Sequence, residues 1–282
     1  MNIKEAFNYT KKQLIKAGVD DPAFDTVYLF EHLFSMSRTD IAVHNDKEVS
    51  SIDFTRLNTM IERRASGEPV QYIIGQWYFM GNTFKVKKGV LIPRDDTQVL
   101  VDACIDIIKI NNFKTIVDLC SGSGIIAITL KKLFENSTVY AVEKSDTAYS
   151  ILKDNCQLNN ADVKLIHSDL NDCCDKFNDG CVDLVVSNPP YIITDETNSL
   201  QKEVQFEPKM ALDGGKDGYD FYRMIIKKWS QKLKRGGYIA FEIGEGQFEY
   251  ISKLLLQNGF CDIKGFDDLS STVRAMTAIY NP

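Results

Sequence analysis

The chain has 282 residues, of which 44% are hydrophobic, 26% charged and 11% aromatic. This is the composition of a globular protein, and it excludes collagen-like, low-complexity and largely disordered chains. The 33 Lys and Arg against 39 Asp and Glu give a net charge of −6, so the chain lacks the basic excess with which proteins hold duplex nucleic acid by bulk electrostatics.

The cysteines and the apolar runs indicate a protein of the cytoplasm. The 7 Cys are odd in number and none form a Cys-x-x-Cys pair, which argues against a disulfide framework or a zinc ribbon. No apolar run approaches the roughly 20 residues that a membrane span needs, and the charged start of the chain does not resemble a secretory signal. We therefore expect cytoplasmic localisation, and we assign no metal site and no membrane contact.

Residues 1–75 are predicted to form a small helical domain. Asp21 caps a helix that has Pro22 at its first position, and apolar residues then recur near the 3.6-residue period. The same spacing returns in a second stretch, which Gly67 and Pro69 end. These helices carry no chemical motif, so their expected role is recognition of a partner.

Residues 76–93 are predicted to form a β-hairpin that connects this domain to the next. Aromatic residues flank the turn Met80-Gly81-Asn82, and Pro93 closes the segment. Residues 94–282 then alternate between strands and helices. Strands are predicted at 116–120, 138–142, 163–166, 182–187, 238–243, 261–266 and 273–280, and helices near 97–110, 123–134, 146–158, 218–233 and 246–257.

This alternation predicts an α/β fold with a doubly wound, mostly parallel sheet. The last two strands are separated only by residues 267–272, which are too few for a parallel crossover. The final strand should therefore run antiparallel. A seven-stranded Rossmann-like sheet with an antiparallel last strand is the fold of class I S-adenosylmethionine (SAM) methyltransferases, so we expect residues 94–282 to be a catalytic domain of that kind.

The loop after the first strand of this domain is a candidate cofactor site. Its residues are Cys120, Ser121, Gly122, Ser123 and Gly124. The glycines allow a sharp turn and a close ligand approach, and the helix that follows offers free N–H groups. Glu143 ends the second strand, where an acidic residue can bind a ribose diol, and Asp169 follows the third, where it could meet an adenine amine. The Gly-x-Gly-x-x-Gly fingerprint for a pyrophosphate is absent, which favours SAM over a nicotinamide cofactor without excluding the latter.

The fourth strand ends in Asn188-Pro189-Pro190-Tyr191. Ligands of open α/β sheets bind beyond the carboxyl ends of the strands. The prolines stiffen this corner, the amide oxygen of Asn188 is an acceptor, and the ring of Tyr191 is a flat platform. The corner therefore suits a planar substrate with an NH₂ group, whose hydrogens it can hold while positive charge develops on nitrogen.

Several motifs together make the chain similar to the peptide-chain release-factor glutamine methyltransferases, the PrmC/HemK family. The likeness covers nearly the whole chain. Besides the Asn188 corner, the matching motifs are Arg63-Arg64-x-x-Gly67-Glu68-Pro69-Val70-Gln71-Tyr72-Ile73-x-Gly75, Leu91-Ile92-Pro93-Arg94, Glu207-Pro208, Ala211-Leu212-x-Gly214-Gly215-x-Asp217-Gly218 and Glu242-Ile243-Gly244.

The resemblance implies SAM-dependent methylation of the side-chain amide of the glutamine in the Gly-Gly-Gln motif of class 1 release factors. It also implies that the N-terminal helices help recognise the release factor. Carried over by position, SAM would contact the loop 120–124, Glu143, the Asp169-Leu170 corner and Asn188, and the glutamine would lie on residues 188–191. The chain departs from the family at Cys120, where glycine is usual, and at Gln98, where a glutamate is usual.

Three other functions fit parts of the pattern. One is methylation of a glutamine on a ribosomal protein, the reaction of a closely similar family. Another is methylation of an exocyclic amino group of a nucleobase, because Asn-Pro-Pro-Tyr is shared with the DNA and rRNA amino-methyltransferases. The third is a non-catalytic protein-binding module that has kept the fold, against which the intact corner argues. The charge balance disfavours duplex nucleic acid but does not separate two protein substrates.

Overall fold

The computed structural model describes residues 1–282 and divides into two units. Unit 1 consists of residues 1–76 together with 201–206, and unit 2 consists of residues 77–200 and 207–282. No helix in either unit combines the length and the apolar character that crossing a membrane requires.

Unit 1 is a bundle of five helices around its own apolar core. The helices are α1 (Ile3–Lys16), α2 (Pro22–Phe34), α3 (Arg38–Val43), α4 (Ser51–Ala65) and α5 (Val70–Ile74). Asp21 caps α2 as predicted, since its carboxylate accepts a hydrogen bond from the Phe24 N–H at 3.0 Å. The amphipathic stripes of α1, α2 and α4 supply the core, in which Leu14, Phe30 and Leu57 are fully buried.

A buried ion-pair network attaches the segment 201–206 to the helices of unit 1. Arg64 of α4 binds the carboxylate of Asp25 on α2 and, at 2.7 Å, that of Glu203. The side chains of Arg64 and Asp25 are each only 7% exposed. Burial raises the pKa of Asp25, although the bond from Arg64 opposes this. Arg64 therefore stabilises both carboxylates, and its pairing matters most for Asp25, which water reaches poorly.

Unit 2 contains a hairpin followed by alternating strands and helices. Its elements are β1 (Gln76–Phe79), β2 (Asn82–Lys85), α6 (Thr97–Asn111), β3 (Thr115–Leu119), α7 (Ile125–Leu133), β4 (Thr138–Glu143), α8 (Asp146–Leu158), β5 (Lys164–His167), α9 (Leu170–Cys173), β6 (Val182–Ser187), α10 (Asp220–Trp229), β7 (Leu233–Glu242), α11 (Phe248–Gln257), β8 (Phe260–Asp267) and β9 (Val273–Tyr280). The hairpin β1–β2 packs on α8, where Asn155 and Asn159 bond its backbone.

The seven-stranded sheet has the order β5-β4-β3-β6-β7-β9-β8. The strands are parallel except β9, which runs antiparallel to both β7 and β8. The predicted fold, with its antiparallel last strand, is confirmed. Strand β6 lies between β3 and β7 and is buried at all six positions, Asp183 and Ser187 included, as expected for a strand covered on both faces.

The largest difference from the predicted bounds lies in one pair of elements. A helix was expected over 218–233 and a strand over 238–243, but α10 ends at Trp229 and β7 already begins at Leu233. Residues 230–232 form a single 3₁₀ turn, and Leu233 then pairs with Val182 of β6. This pairing extends β7 toward its amino end, and the periodicity of the local sequence contains no information about it.

Candidate active site

The carboxyl ends of β3, β4, β5 and β6 meet at one edge of the sheet, because these strands are parallel and adjacent. A cavity of about 240 Å³ opens at this edge. Nine of the residues predicted for the site line it, namely Cys120, Ser121, Gly122, Ser123, Glu143, Asp169, Leu170, Asn188 and Pro190. The other three, Gly124, Pro189 and Tyr191, belong to the same two loops but not to the wall.

The loop 120–124 is held by its own hydrogen bonds. The Ser121 N–H donates to the Val142 carbonyl at 3.1 Å, and the Gly124 N–H donates to the Ser121 carbonyl at 2.8 Å. Gly124 adopts φ +87° and starts helix α7 two residues later than predicted. A Cβ there would lie 2.3 Å from Cδ1 of Leu152, so both the backbone angle and the packing require glycine.

Cys120 adopts the left-handed backbone that glycine would adopt without strain. Its φ is +60°, a conformation in which a Cβ approaches the following carbonyl. Although Cys120 replaces the glycine that is usual in the family, the backbone at this position keeps a conformation that suits glycine. Burial raises the pKa of the Cys120 thiol, so this side chain is a neutral, weakly reactive group in the wall of the cavity.

Glu143 fastens the loop to the end of β4. One carboxylate oxygen accepts from the Gly122 N–H at 2.8 Å and the other from the Ser145 N–H at 2.7 Å. Glu143 is 9% exposed, and burial raises its pKa against the opposing effect of these backbone donors. Each oxygen can accept a further hydrogen bond, so the carboxylate can organise the loop and still bind a diol.

Asp169 lies at the predicted place but is strongly engaged with its neighbours. Oδ1 accepts from the backbone N–H of Asn171 at 2.8 Å, and Oδ2 lies 3.0 Å from Nζ of Lys144. Burial acts to raise the pKa of Asp169, but these partners outweigh it and lower the pKa. An amine in the cavity would have to share Oδ2 with Lys144, whose side chain is 63% exposed and free to move aside. Leu170 beside it is buried.

The corner at the end of β6 is fixed from two sides. The Ser187 hydroxyl donates to the Leu119 carbonyl at 2.6 Å, which joins β6 to β3 just before the corner. Asn188 donates from Nδ2 to Oγ1 of Thr97 at 3.3 Å. Because the amide nitrogen is used in this way, the amide oxygen of Asn188 is the atom left to accept. Pro189 and Pro190, which follow it, are both buried.

Two residues near the corner were not assigned from the sequence. Thr97 is 1% exposed and lines the cavity beside Asn188. Glu242 is 2% exposed, and its Oε1 lies 3.4 Å from the Tyr191 hydroxyl. Burial raises the pKa of Glu242 to about 7, against the effect of the Thr97 hydroxyl and the Arg274 guanidinium. Glu242 is the last residue of β7, which neighbours β6 in the sheet. Because ligands bind at the carboxyl ends of such strands, Glu242 could have been predicted as a site residue if the strand order had been known.

Arg94 and Gln98, whose roles the sequence left open, have different surroundings. Arg94 forms an ion pair with the buried Glu207, whose other carboxylate oxygen accepts from the Ile92 N–H at 2.9 Å. Arg94 also lines the cavity. The side chain of Gln98 donates from Nε2 to Asp102 at 3.3 Å on the exposed face of α6.

Two family models match the chain. The one described as the PrmC N-terminal domain matches residues 5–75, and the one described as the methyltransferase small domain matches residues 95–241. The second covers more than half of the chain.

Curated relatives extend over almost the full length. A release factor glutamine methyltransferase of Clostridium botulinum is 38% identical over 268 residues, 94% of each chain. One of Fusobacterium nucleatum is 36% identical over 277 residues, 97% of this chain and 78% of its own. Among solved structures, a methyltransferase from Pyrococcus furiosus has a TM-score of 0.53 at 16% identity, over 72% of this chain and 91% of that one, which shows a shared fold.

Proposed function

Since the chain belongs to the release factor glutamine methyltransferase family, we propose that it transfers a methyl group from SAM to the side-chain amide nitrogen of the glutamine in the Gly-Gly-Gln motif of class 1 release factors. The observation that carries this proposal is the shared cavity. The glycine loop, Glu143 and Asn188 line one cavity, so a donor and a planar acceptor can meet there.

The residues at the strand ends fit SAM. Glu143 has a lone pair on each oxygen for the ribose diol, and the loop 120–124 brings backbone groups to the cavity wall. Asp169 and Leu170 would border the adenine. SAM, when bound, supplies an activated methyl group on a sulfonium centre. The work left to the protein is alignment and electrostatics.

The Asn188 corner would orient the acceptor amide. An amide nitrogen is a poor nucleophile because its lone pair is delocalised into the carbonyl. The oxygen of Asn188 and the backbone carbonyl of Pro189, which lies outside the sheet ladder, can hold the two N–H hydrogens and stabilise the positive charge that develops on nitrogen. The ring of Tyr191 would limit where the planar amide can lie.

The helices of unit 1 would recognise the release factor beyond its glutamine. Residues 5–75 match a domain model named for this family, and these helices carry no group that the transfer of a methyl needs. We also propose cytoplasmic localisation, because the proposed substrates act in translation there.

Methyl transfer to defined acceptors tests the proposal. We would incubate the protein and tritiated SAM with a release factor, the same factor with its motif glutamine changed to alanine, a peptide of the Gly-Gly-Gln loop, and duplex DNA. The intact factor should be labelled with a far higher kcat/KM than the peptide, and mass spectrometry should find the methyl group on the glutamine. Label on the alanine variant or on DNA alone would overturn the proposed substrate, and equal kcat/KM for peptide and factor would remove the recognition role of unit 1.

Asn188→Ala should lose kcat by about 10²–10³-fold, the usual cost of one preorganised group of this kind, while the Kd for SAM changes much less. Asn111→Ala, on the exposed end of α6, is the matched control and should keep both values. Near-normal kcat in Asn188→Ala would rule out its role.

A further inference from the structure

Gln247 lies behind the Asn188 corner and uses its whole carboxamide in hydrogen bonds. The residue is 8% exposed and immediately precedes α11. Its oxygen accepts from the Gly244 N–H at 2.9 Å and lies 3.3 Å from the Tyr222 hydroxyl, which also donates to the Glu242 carbonyl at 2.9 Å. Its nitrogen donates to the carbonyl of Tyr191 at 3.1 Å and to that of Gly218 at 3.3 Å. A buried side chain whose oxygen and both N–H groups are engaged inside the protein is held in one position.

The carbonyl of Tyr191 is also enclosed by the loop 212–218. A Cβ on Gly218 would lie 2.6 Å from this oxygen, and one on Gly214 would lie 2.6 Å from Cα of Tyr191. Just beyond, the Ile192 N–H donates to the Leu212 carbonyl at 2.9 Å. The backbone on the far side of the corner is therefore surrounded by close contacts, among which Gln247 provides a side-chain hydrogen bond to the Tyr191 carbonyl.

The two prolines connect this fixed point to Asn188. Proline fixes φ, and it also restricts the residue before it, so the stretch from Asn188 to Pro190 has little freedom to absorb a displacement. A shift of the Tyr191 carbonyl would consequently move the Pro189 carbonyl and the Asn188 side chain, which are the atoms proposed to hold the substrate amide.

We propose that Gln247 is a positioning residue for methyl transfer, which fixes the acceptor atoms of the corner through the backbone of Tyr191. This inference rests on the proposed function. It also gives a function to two motifs that the methyl-transfer chemistry alone does not require. Glu242-Ile243-Gly244 and the glycines Gly214 and Gly218 would help to hold Gln247 and the backbone of Tyr191 in place.

The test compares Gln247→Ala with Asn159→Ala. Asn159 is 9% exposed and also donates to two backbone carbonyls, those of Thr83 at 2.9 Å and Asn155 at 3.0 Å, but it lies between α8 and the hairpin. It is therefore a matched control for the loss of a buried amide. Gln247→Glu is the second variant, because it keeps the side-chain shape and the acceptor oxygen that bonds the Gly244 N–H. It replaces the donor NH₂ group by a carboxylate oxygen, which the carbonyls of Tyr191 and Gly218 repel.

We would measure kcat with the release factor, Kd for SAM by calorimetry, and Tm for each variant. Both Gln247 variants should lose kcat at least tenfold while the Kd for SAM changes less than threefold, whereas Asn159→Ala should lower Tm and keep kcat within twofold. A kcat within threefold of wild type in Gln247→Glu would overturn the inference, as would an equal loss of kcat in Asn159→Ala. If the wild-type protein itself transfers no methyl group to the factor, the proposed function has failed instead.

Discussion

Replacing Glu143 by alanine should weaken both the cofactor site and the fold. The carboxylate accepts from the N–H groups of Gly122 and Ser145, so its loss leaves two backbone donors without their partner. An unsatisfied buried donor costs about 1–3 kcal/mol. Gly122 and Ser145 are only partly buried, and water can replace part of the bonding, which favours the lower end of that range. We expect the free energy of unfolding to fall by about 2 kcal/mol.

The loss of affinity should be separate from this loss of stability. Hydrogen bonds from a ribose diol to a charged carboxylate are worth about 1.5–3 kcal/mol, which corresponds to a roughly ten- to hundredfold weaker Kd for SAM. Calorimetry would measure the Kd, and urea denaturation would measure the stability of the same sample.

Asp146→Ala is the matched control for Glu143→Ala. Asp146 is three residues further along, and its side chain is 96% exposed, so the variant removes one nearby negative charge without touching the loop. Its Kd for SAM should stay within about threefold of wild type, as expected for a solvent-screened charge. An unchanged Kd in Glu143→Ala would refute the ribose contact, and an unchanged free energy of unfolding would refute the organisation of the loop by this carboxylate.

Three further predictions concern stability, each measured by urea denaturation. Cys120→Val should destabilise the protein by about 2 kcal/mol, because a β-branched residue fits the left-handed backbone poorly, while Cys120→Gly should stay within about 1 kcal/mol of wild type. Equal stability of the two variants would contradict the strain argument. Arg64→Met should cost unit 1 about 3–5 kcal/mol, since it leaves Asp25 buried and unpaired, and adding Asp25→Asn should recover part of the loss. No recovery in the double variant would show that the charge of Asp25 is not the cause. Glu242→Gln should gain stability relative to wild type as pH rises. The pKa of Glu242 is raised from 4.5 to about 7 by folding, so the folded wild type holds a proton that the unfolded chain releases, and wild type loses stability between these two pH values. A difference between variant and wild type that is the same at pH 5 and pH 8 would argue against a buried titrating carboxyl.

The sequence by itself determined the parts of the fold that depend on local chemistry. Strand β6 was predicted at its observed bounds because four of its six residues are Val or Leu, which is typical of a strand covered on both faces. The loop 120–124 and the Asn188 corner were found because they follow strands, and the carboxyl ends of parallel strands share one edge of a sheet. The family resemblance drawn from the motifs is confirmed by the matches over the chain. The roles of the individual site residues stay predictions.

The tertiary structure decided the contacts between residues that lie far apart along the chain. Asn188 bonds Thr97 across 91 positions, Arg94 pairs with Glu207 across 113, and Gln247 reaches Tyr191 across 56. No local period or turn signal encodes such pairs, because they depend on the strand order β3-β6-β7 and on the loops that it brings together. The same holds for residues 201–206, which join unit 1 through the ion pair of Glu203. A hydrogen bond or ion pair forms where folding places its partners, whatever their separation in sequence, and so the local chemistry could predict the loops of the site but not the residues that hold them in place.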